Sequence, residues 1–290
     1  MSTLAIFAGC VLIWGTTWLA IIFQLGSVPP EVSVAWRFLL AAALLFGFCR
    51  LRGLPLAFNR RQHLALAAQG LTMFCVSYIF VYYAEQHIVS GLVAVGYSAS
   101  PLLNMLGAWI AFRTPMSRRV IIGGVLGVVG ITLVFWPEFS KLSTDGDTAL
   151  GATFTAIAVV ASAVGSVSAV LTQRMKLPIW QTLAWGMLYG GALSLLVAAA
   201  VGKPIAFDSG IKYLASLAYL AVFGSVIAFA GYLTLIARLG AARAGYIGVM
   251  VPIVALVISS VFESFTWGVL TFLGAAVSVV GNVVILNKRA

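Results

Sequence analysis

The sequence predicts an all-α polytopic membrane protein: ten transmembrane helices built as two inverted five-helix repeats, with the N- and C-termini cytoplasmic. Composition is the first reason. Hydrophobic residues fill 62% of 290 positions and charged residues only 8%, at a mean hydropathy of +1.09. A soluble domain carries about 45–50% apolar and about 25% charged residues. The second reason is that apolar stretches of membrane length recur along the chain, separated by short polar links. The third is that the two halves resemble each other at offsets of 149 to 151 residues.

A spanning helix needs about 20 mostly apolar residues, because every backbone polar group must be satisfied inside the segment. The first such stretch, 4–25, follows only "MST", with neither a basic n-region nor a small-residue cleavage site, and reads as a retained span. It carries Trp14 and Trp18 four residues apart, with Thr17 beside them. Trp14 lies near the bilayer centre, where a broad ring either stacks on a substrate or packs in the core. The second span, 32–49, contains Arg37, the single basic residue well inside a span. An arginine at depth is normally paired, and Glu263, Glu85 and Glu31 fall on its side; the alternative is an anchor for a substrate carboxylate. In the third span, 64–84, Phe74, Tyr78 and Tyr82 recur every four residues and share one helical face. Mid-span tyrosines are not an interfacial belt, so Tyr78 is a candidate for a cavity wall; Tyr82 suits either a wall or the belt.

The fourth span, 88–112, reads "YSASPLLNMLGAWIAF" after its first turns, with Tyr97, Pro101 and Asn104 on one face. An amide at mid-depth needs a partner, which makes Asn104 a candidate for orienting a polar head group. Ser98 and Ser100 can add donors. The fifth span, 120–136, has Gly123 and Gly127 at the spacing of close helix contacts, as the seventh, 180–201, has Gly186 and Gly190. Ser162, Ser166 and Ser168 punctuate the sixth, 149–172, where serine also simply lets helices approach. The eighth runs 211–237. The ninth, 244–262, contains "GVMVPIVALVISSVFE" with Pro252, and the tenth runs 267–286.

Charge settles the orientation. With links assigned alternately from a cytoplasmic N-terminus, 13 of the 17 basic residues fall on inner links. Lys141, Lys203 and Lys212 are outer, and all seven acidic residues lie on the outer side or at outer span ends. The positive-inside rule therefore makes both termini cytoplasmic. The net charge of +10 records topology and does not call for nucleic acid. Cys10, Cys49 and Cys75 lie in different spans without CxxC spacing and read as packing residues. His63 and His87 lie on opposite sides, so they share no metal. Phosphate-loop, dinucleotide, HExxH and GxSxG motifs are absent from the sequence. No cofactor, metal or catalytic set is expected, and an enzyme is not the reading.

Pro101 pairs with Pro252, Gly123 with Gly274 and Gly130 with Gly281 at an offset of 151; "AWRFLLAAAL" pairs with "AWGMLYGGAL" at 149; Gly15 pairs with Gly165 at 150. The repeats are 1–140 and 148–290. Five spans each is odd, so the second copy enters the membrane from the opposite face. Inverted repeats of this kind are a recurring transporter design, with the site where interrupted helices meet at the midplane. The paired prolines are then expected to mark two hinged, path-lining helices.

"IWGTTW" at 13–18, "RFLLAA" at 37–42, "RLGAARAGYIGVMVPIVALVISSVFE" at 238–263 and "LGAAVSVVGNVVI" at 273–285 resemble the drug/metabolite transporter superfamily, specifically its EamA branch of ten-span carriers. The order and spacing of these motifs, over nearly the whole chain, carry the resemblance. It implies efflux of amino acids, metabolites or drugs, with the YddG-type aromatic amino-acid exporters as the nearest kind. One departure is that the acidic residue after the second proline is present as Glu263, while its first-half counterpart is Phe112.

The expected function is export of aromatic and other hydrophobic or neutral amino acids and related metabolites. The mechanism is alternating access around a central cavity, in a bacterial inner membrane. A broad efflux carrier for lipophilic cations is the alternative, in which the faces of Trp14 and Tyr78 matter while Asn104 and Arg37 are free to change. No acidic residue lies near the centre of a span, which points to facilitated diffusion or to coupling through groups nearer the outer rim. The only partners expected are a small-molecule substrate and the bilayer; the oligomeric state is left open, and a monomer suffices.

Overall fold

A computed structural model describes residues 2–113, 118–139, 146–239, 244 and 247–286. We label the helical runs α1 (Thr3–Ile22), α2 (Pro30–Leu51), α3 (Arg60–Glu85), α4 (Ser90–Phe112), α5 (Arg118–Phe139), α6 (Gly146–Arg174), α7 (Ile179–Ala200), α8 (Ile211–Leu239), α9 (Ile247–Phe262) and α10 (Val269–Leu286). Seven of them (α1 to α4 and α6 to α8) are long and apolar enough to cross a membrane, and α5, α9 and α10 carry shorter apolar stretches. Among the described residues there is no strand. The chain is a polytopic membrane protein. The link at 140–145 and part of the expected start of the ninth span lie outside the described residues.

Local chemistry explains the ends of these helices. α3 begins at Arg60, four residues before the apolar run, because Asn59 and Gln62 form a reciprocal capping box, each side chain 2.9 Å from the other's backbone nitrogen. α2 and α7 end alike. Gly53 (φ +62°) and Gly202 (φ +70°) take the left-handed conformation that glycine adopts without penalty. Leu54 N–H then bonds the Cys49 carbonyl, and Lys203 N–H the Ala198 carbonyl, each at 2.8 Å.

Packing joins early helices to late ones. α2 packs on α7, α5 on α10 and α4 on α9. α3 and α4 pack on α6, while α8 and α9 pack on α1. The core runs through Phe38, Phe74, Leu183, Met187 and Leu220, all completely buried.

α3 and α8 are interrupted by π-helical turns, Gly70–Val76 and Leu220–Ile227, which begin 150 residues apart. Such turns open the backbone ladder and are frequent at functional sites. The prolines differ from the expected matched pair. α4 is broken by a 3₁₀ turn, Tyr97–Ala99, and Pro101 follows in the first turn of the helix Ser100–Phe112, where its missing N–H is tolerated. Pro252 lies inside the continuous helix Ile247–Phe262. The side chain of Pro101 lies outside the described residues.

Candidate functional site

A cavity of about 140 Å³ opens between six helices. α1 contributes Trp14, Thr17, Trp18 and Ile21, and α3 contributes Met73, Ser77, Tyr78 and Val81. From α4 come Tyr97, Ser100 and Asn104, and from α6 Ser162 and Ser166. α8 adds Phe229 and Tyr232, and α9 adds Ile247, Gly248, Val251 and Pro252. Among the described residues, no charged side chain belongs to this wall.

The wall is aromatic and its rings are fixed. Trp14 meets Phe229 and Tyr232 edge to face at 5.1 and 5.3 Å, and Trp18 meets Tyr97 at 5.3 Å. The Trp14 indole N–H donates to the Gly224 carbonyl at 3.1 Å, so the π turn of α8 holds the ring in place. Ser77 lies 2.9 Å from the Tyr97 hydroxyl and donates to the Ala158 carbonyl at 3.0 Å. Three polar atoms of the wall are buried without a protein partner: Trp18 Nε1, Ser100 Oγ and Asn104 Oδ1. About nine in ten buried polar groups in folded proteins are satisfied, so three in one cavity mark a place for a polar ligand.

One end of the bundle is acidic. Ser27 binds Asp208, Tyr83 donates to Glu31, His87 contacts Asp147, and Ser90 binds Glu263, so these residues share one end. At the other, basic end, Trp185 donates to the Leu56 carbonyl, Tyr189 bonds His63, and Arg174 lies over the Phe112 ring. The cavity reaches from Ile247 and Gly248, at the basic-end start of α9, to Ile21 and Val81 beneath the acidic-end contacts.

Of the residues singled out from sequence, Trp14, Thr17, Tyr78, Tyr97, Asn104 and Pro252 meet in this cavity. Tyr82 does not belong to its wall: it is fully buried and donates to Gln24 Oε1 at 2.6 Å, tying α3 to the end of α1. Ser98 is also absent from the wall; it is buried, and its carbonyl faces Gly127 of α5. Arg37 and Glu263 stand apart from each other. Arg37 Nε donates to Ser225 Oγ at 3.0 Å and its guanidinium covers the Tyr78 ring at 4.6 Å, behind the cavity. Glu263 caps the start of α4, accepting the Ser90 backbone N–H at 2.9 Å together with the hydroxyls of Ser90 and Ser259.

Of the second half's share of the wall, Ser162, Ser166 and Pro252 had been singled out from sequence, while Phe229 and Tyr232 were missed. Shifting the Tyr78/Tyr82 stripe by 150 residues lands on Ala228 and Tyr232, a signal the repeat already contained.

The acidic end also carries a pH-dependent link. Asp208 accepts from Ser27 Oγ and from the Gly210 backbone N–H, both at 2.7 Å, and these bonds hold its carboxyl below the usual aspartate range. A depressed value stabilises the fold above the unfolded-state pKa, near 3.9, and the benefit disappears as pH falls through the folded value. In thermal melts, Asp208→Asn is expected to lie slightly below wild type at neutral pH, with the gap closing on acidification; a constant gap would contradict it.

Comparison with known proteins identifies the family. The sequence model of the EamA-like transporter family matches residues 1–136 and again 149–287. The chain is 28% identical to the uncharacterized inner membrane transporter YedA of Escherichia coli (strain K12), over 86% of this chain and 79% of that one. It is 23% identical to PagO of Salmonella typhimurium, over 84% and 80%, and 24% identical to PecM of Dickeya dadantii, over 90% and 84%. A solved crystal structure shares the fold at a TM-score of 0.72 and 20% identity, covering 98% of this chain and 96% of the other. Two matches that together span nearly the whole chain, around a neutral aromatic cavity, make this membrane transporter a member of the EamA-like transporter family.

Proposed function

We propose that this protein exports aromatic and other neutral amino acids, and related small metabolites, across a bacterial inner membrane by alternating access, in the manner of YddG-type exporters. The carrying observation is the pairing of an aromatic, uncharged wall with the unpartnered Trp18 Nε1, Ser100 Oγ and Asn104 Oδ1. A zwitterion complements that set. The indole N–H suits its carboxylate, the amide oxygen its ammonium, and the faces of Trp14, Tyr78 and Tyr97 its side chain and cationic end.

The architecture behind this reading is ten spans in two inverted repeats, 1–140 and 148–290, with both termini cytoplasmic. The double family match supports the duplication. The gathering of Glu31, Asp147, Asp208 and Glu263 at one end, opposite the arginine-rich links, supports the orientation. The acidic end is then periplasmic.

A second reading is efflux of lipophilic cations, favoured by six aromatic residues around a wall that, among the described residues, contains no basic side chain. Counterflow in proteoliposomes with a panel of labelled amino acids and a labelled lipophilic cation separates the two. The expected result is accumulation of an aromatic amino acid, reduced by Asn104→Ala. Cation movement indifferent to that substitution would favour the alternative, and movement of no compound would sink the carrier reading.

A further inference from the structure

We propose that Glu85 is a proton-binding site whose occupancy is linked to closure of the acidic end over the cavity. This rests on the alternating-access reading above.

Three carboxylates and one guanidinium meet at that end. Glu31 and Glu85 are 2% and 8% exposed, and Arg37 is 1% exposed. Glu31 accepts the Tyr83 hydroxyl, and Glu263 accepts one backbone N–H and two hydroxyls. Neither oxygen of Glu85 has a hydrogen-bond partner. Among the described residues, no basic nitrogen lies within 4.0 Å of it. Arg37 has its Nε on Ser225 and its plane on Tyr78, and its Nη1 is buried without a hydrogen-bond partner, so it faces Glu85 without forming an ion pair with it.

The groups facing Glu85 are Arg37 from α2, Tyr97 from α4, Glu263 from the end of α9, and Tyr82 from its own helix; at the same end α2 brings Glu31, which accepts from Tyr83, and α6 brings Asp147, held by His87 at the rim. α1 brings Gln24, which does not titrate. Two of the three carboxylates have the donors that stabilise an anion, and one arginine cannot balance three charges. Sealing this end over ionised Glu85 strands an uncompensated charge. A proton placed on its carboxylate removes that obstacle. It comes from water at the acidic end as the Tyr82–Gln24, Tyr83–Glu31 and Ser90–Glu263 contacts form, and it returns there when they part.

The test is counterflow in proteoliposomes at equal pH on both sides, from neutral to alkaline. Wild-type exchange is expected to fall with rising pH, by up to about tenfold per unit for one linked proton. Glu85→Gln, permanently neutral, is expected to keep exchange and lose that dependence. A flat wild-type profile, or the same slope in Glu85→Gln, overturns the proposal. Infrared spectra of the purified protein give a second readout that needs no flux. A carboxylic-acid C=O band present at neutral pH in wild type, shifted in Glu85→Asp and lost in Glu85→Gln, supports the site; its absence from wild type overturns it, as an Arg37–Glu85 ion pair would predict. Absence of any wild-type flux would instead count against the transport reading, leaving the infrared result to decide the proton.

Discussion

Trp14→Ala is expected to cut substrate exchange by about 30- to 140-fold per folded molecule. The ring forms part of the cavity wall, meets Phe229 and Tyr232 edge to face, and anchors on the Gly224 carbonyl. Removing it deletes an aromatic face and one hydrogen bond, together about 2–3 kcal/mol of binding, and each 1.4 kcal/mol is tenfold. Trp14→Phe separates the two contributions. It keeps a face and loses only the N–H, so its loss should stay near fivefold, from about 1 kcal/mol. Exchange rates normalised to monodisperse protein would check this. Equal losses for both variants would mean that the anchor on the π turn matters more than the face.

Gly274→Leu is expected to cost the most stability. In α10, a Cβ at Gly274 would lie 2.5 Å from the Gly130 carbonyl oxygen and 2.7 Å from the Val134 nitrogen. Across the same interface, a Cβ at Gly281 would lie 2.6 Å from the Gly123 carbonyl oxygen. Backbone cannot yield as a flexible side chain does, so α5 and α10 must separate, at about 3 kcal/mol or more. Gly47→Leu is the control, since nothing lies within 4 Å of a Cβ there. Melting temperatures in detergent should fall for Gly274→Leu and stay unchanged for Gly47→Leu. A tolerated leucine at 274 would refute the close packing of these helices.

The same glycines carry a lesson about repeats. At the 151-residue offset Gly123 corresponds to Gly274 and Gly130 to Gly281, yet the contacts join Gly130 to Gly274 and Gly123 to Gly281. This is the crossed pattern of a self-complementary interface between two copies. The recurrence of identical residues at a constant offset was legible in the sequence. Which copies touch was not, because sequence spacing contains no information on how two helices face each other.

The prolines were only part of the signal for a related reason. A proline is visible as a letter, and two at one offset invite a symmetric hinge. The matched interruptions are instead the π turns of α3 and α8, which contain no proline. A π turn has no compositional signature. Here the turns are held by neighbours: a Cβ at Gly186 or Gly190 of α7 would meet Phe74 at 3.1 or 2.5 Å, while Trp14 and Arg37 hold Gly224 and Ser225. Tyr82 illustrates the same limit. It shares a helical face with Tyr78, yet Gln24, from 58 residues away, draws its hydroxyl out of the cavity wall.

Hydropathy, charge placement and internal repetition were enough to read a membrane-embedded helical carrier. Each is a one-dimensional property: burying an apolar stretch in lipid depends on its own length and composition. Which of the candidate side chains meet in one wall, and which second-half rings complete it, was decided by the tertiary structure. Phe229 and Tyr232 join Trp14 there only because α1 packs against α8, and Arg37 is withdrawn behind Tyr78 only because Ser225 receives it. Contacts between residues some 200 positions apart are chosen by packing and hydrogen-bond satisfaction among several helices at once, which no single stretch of sequence contains.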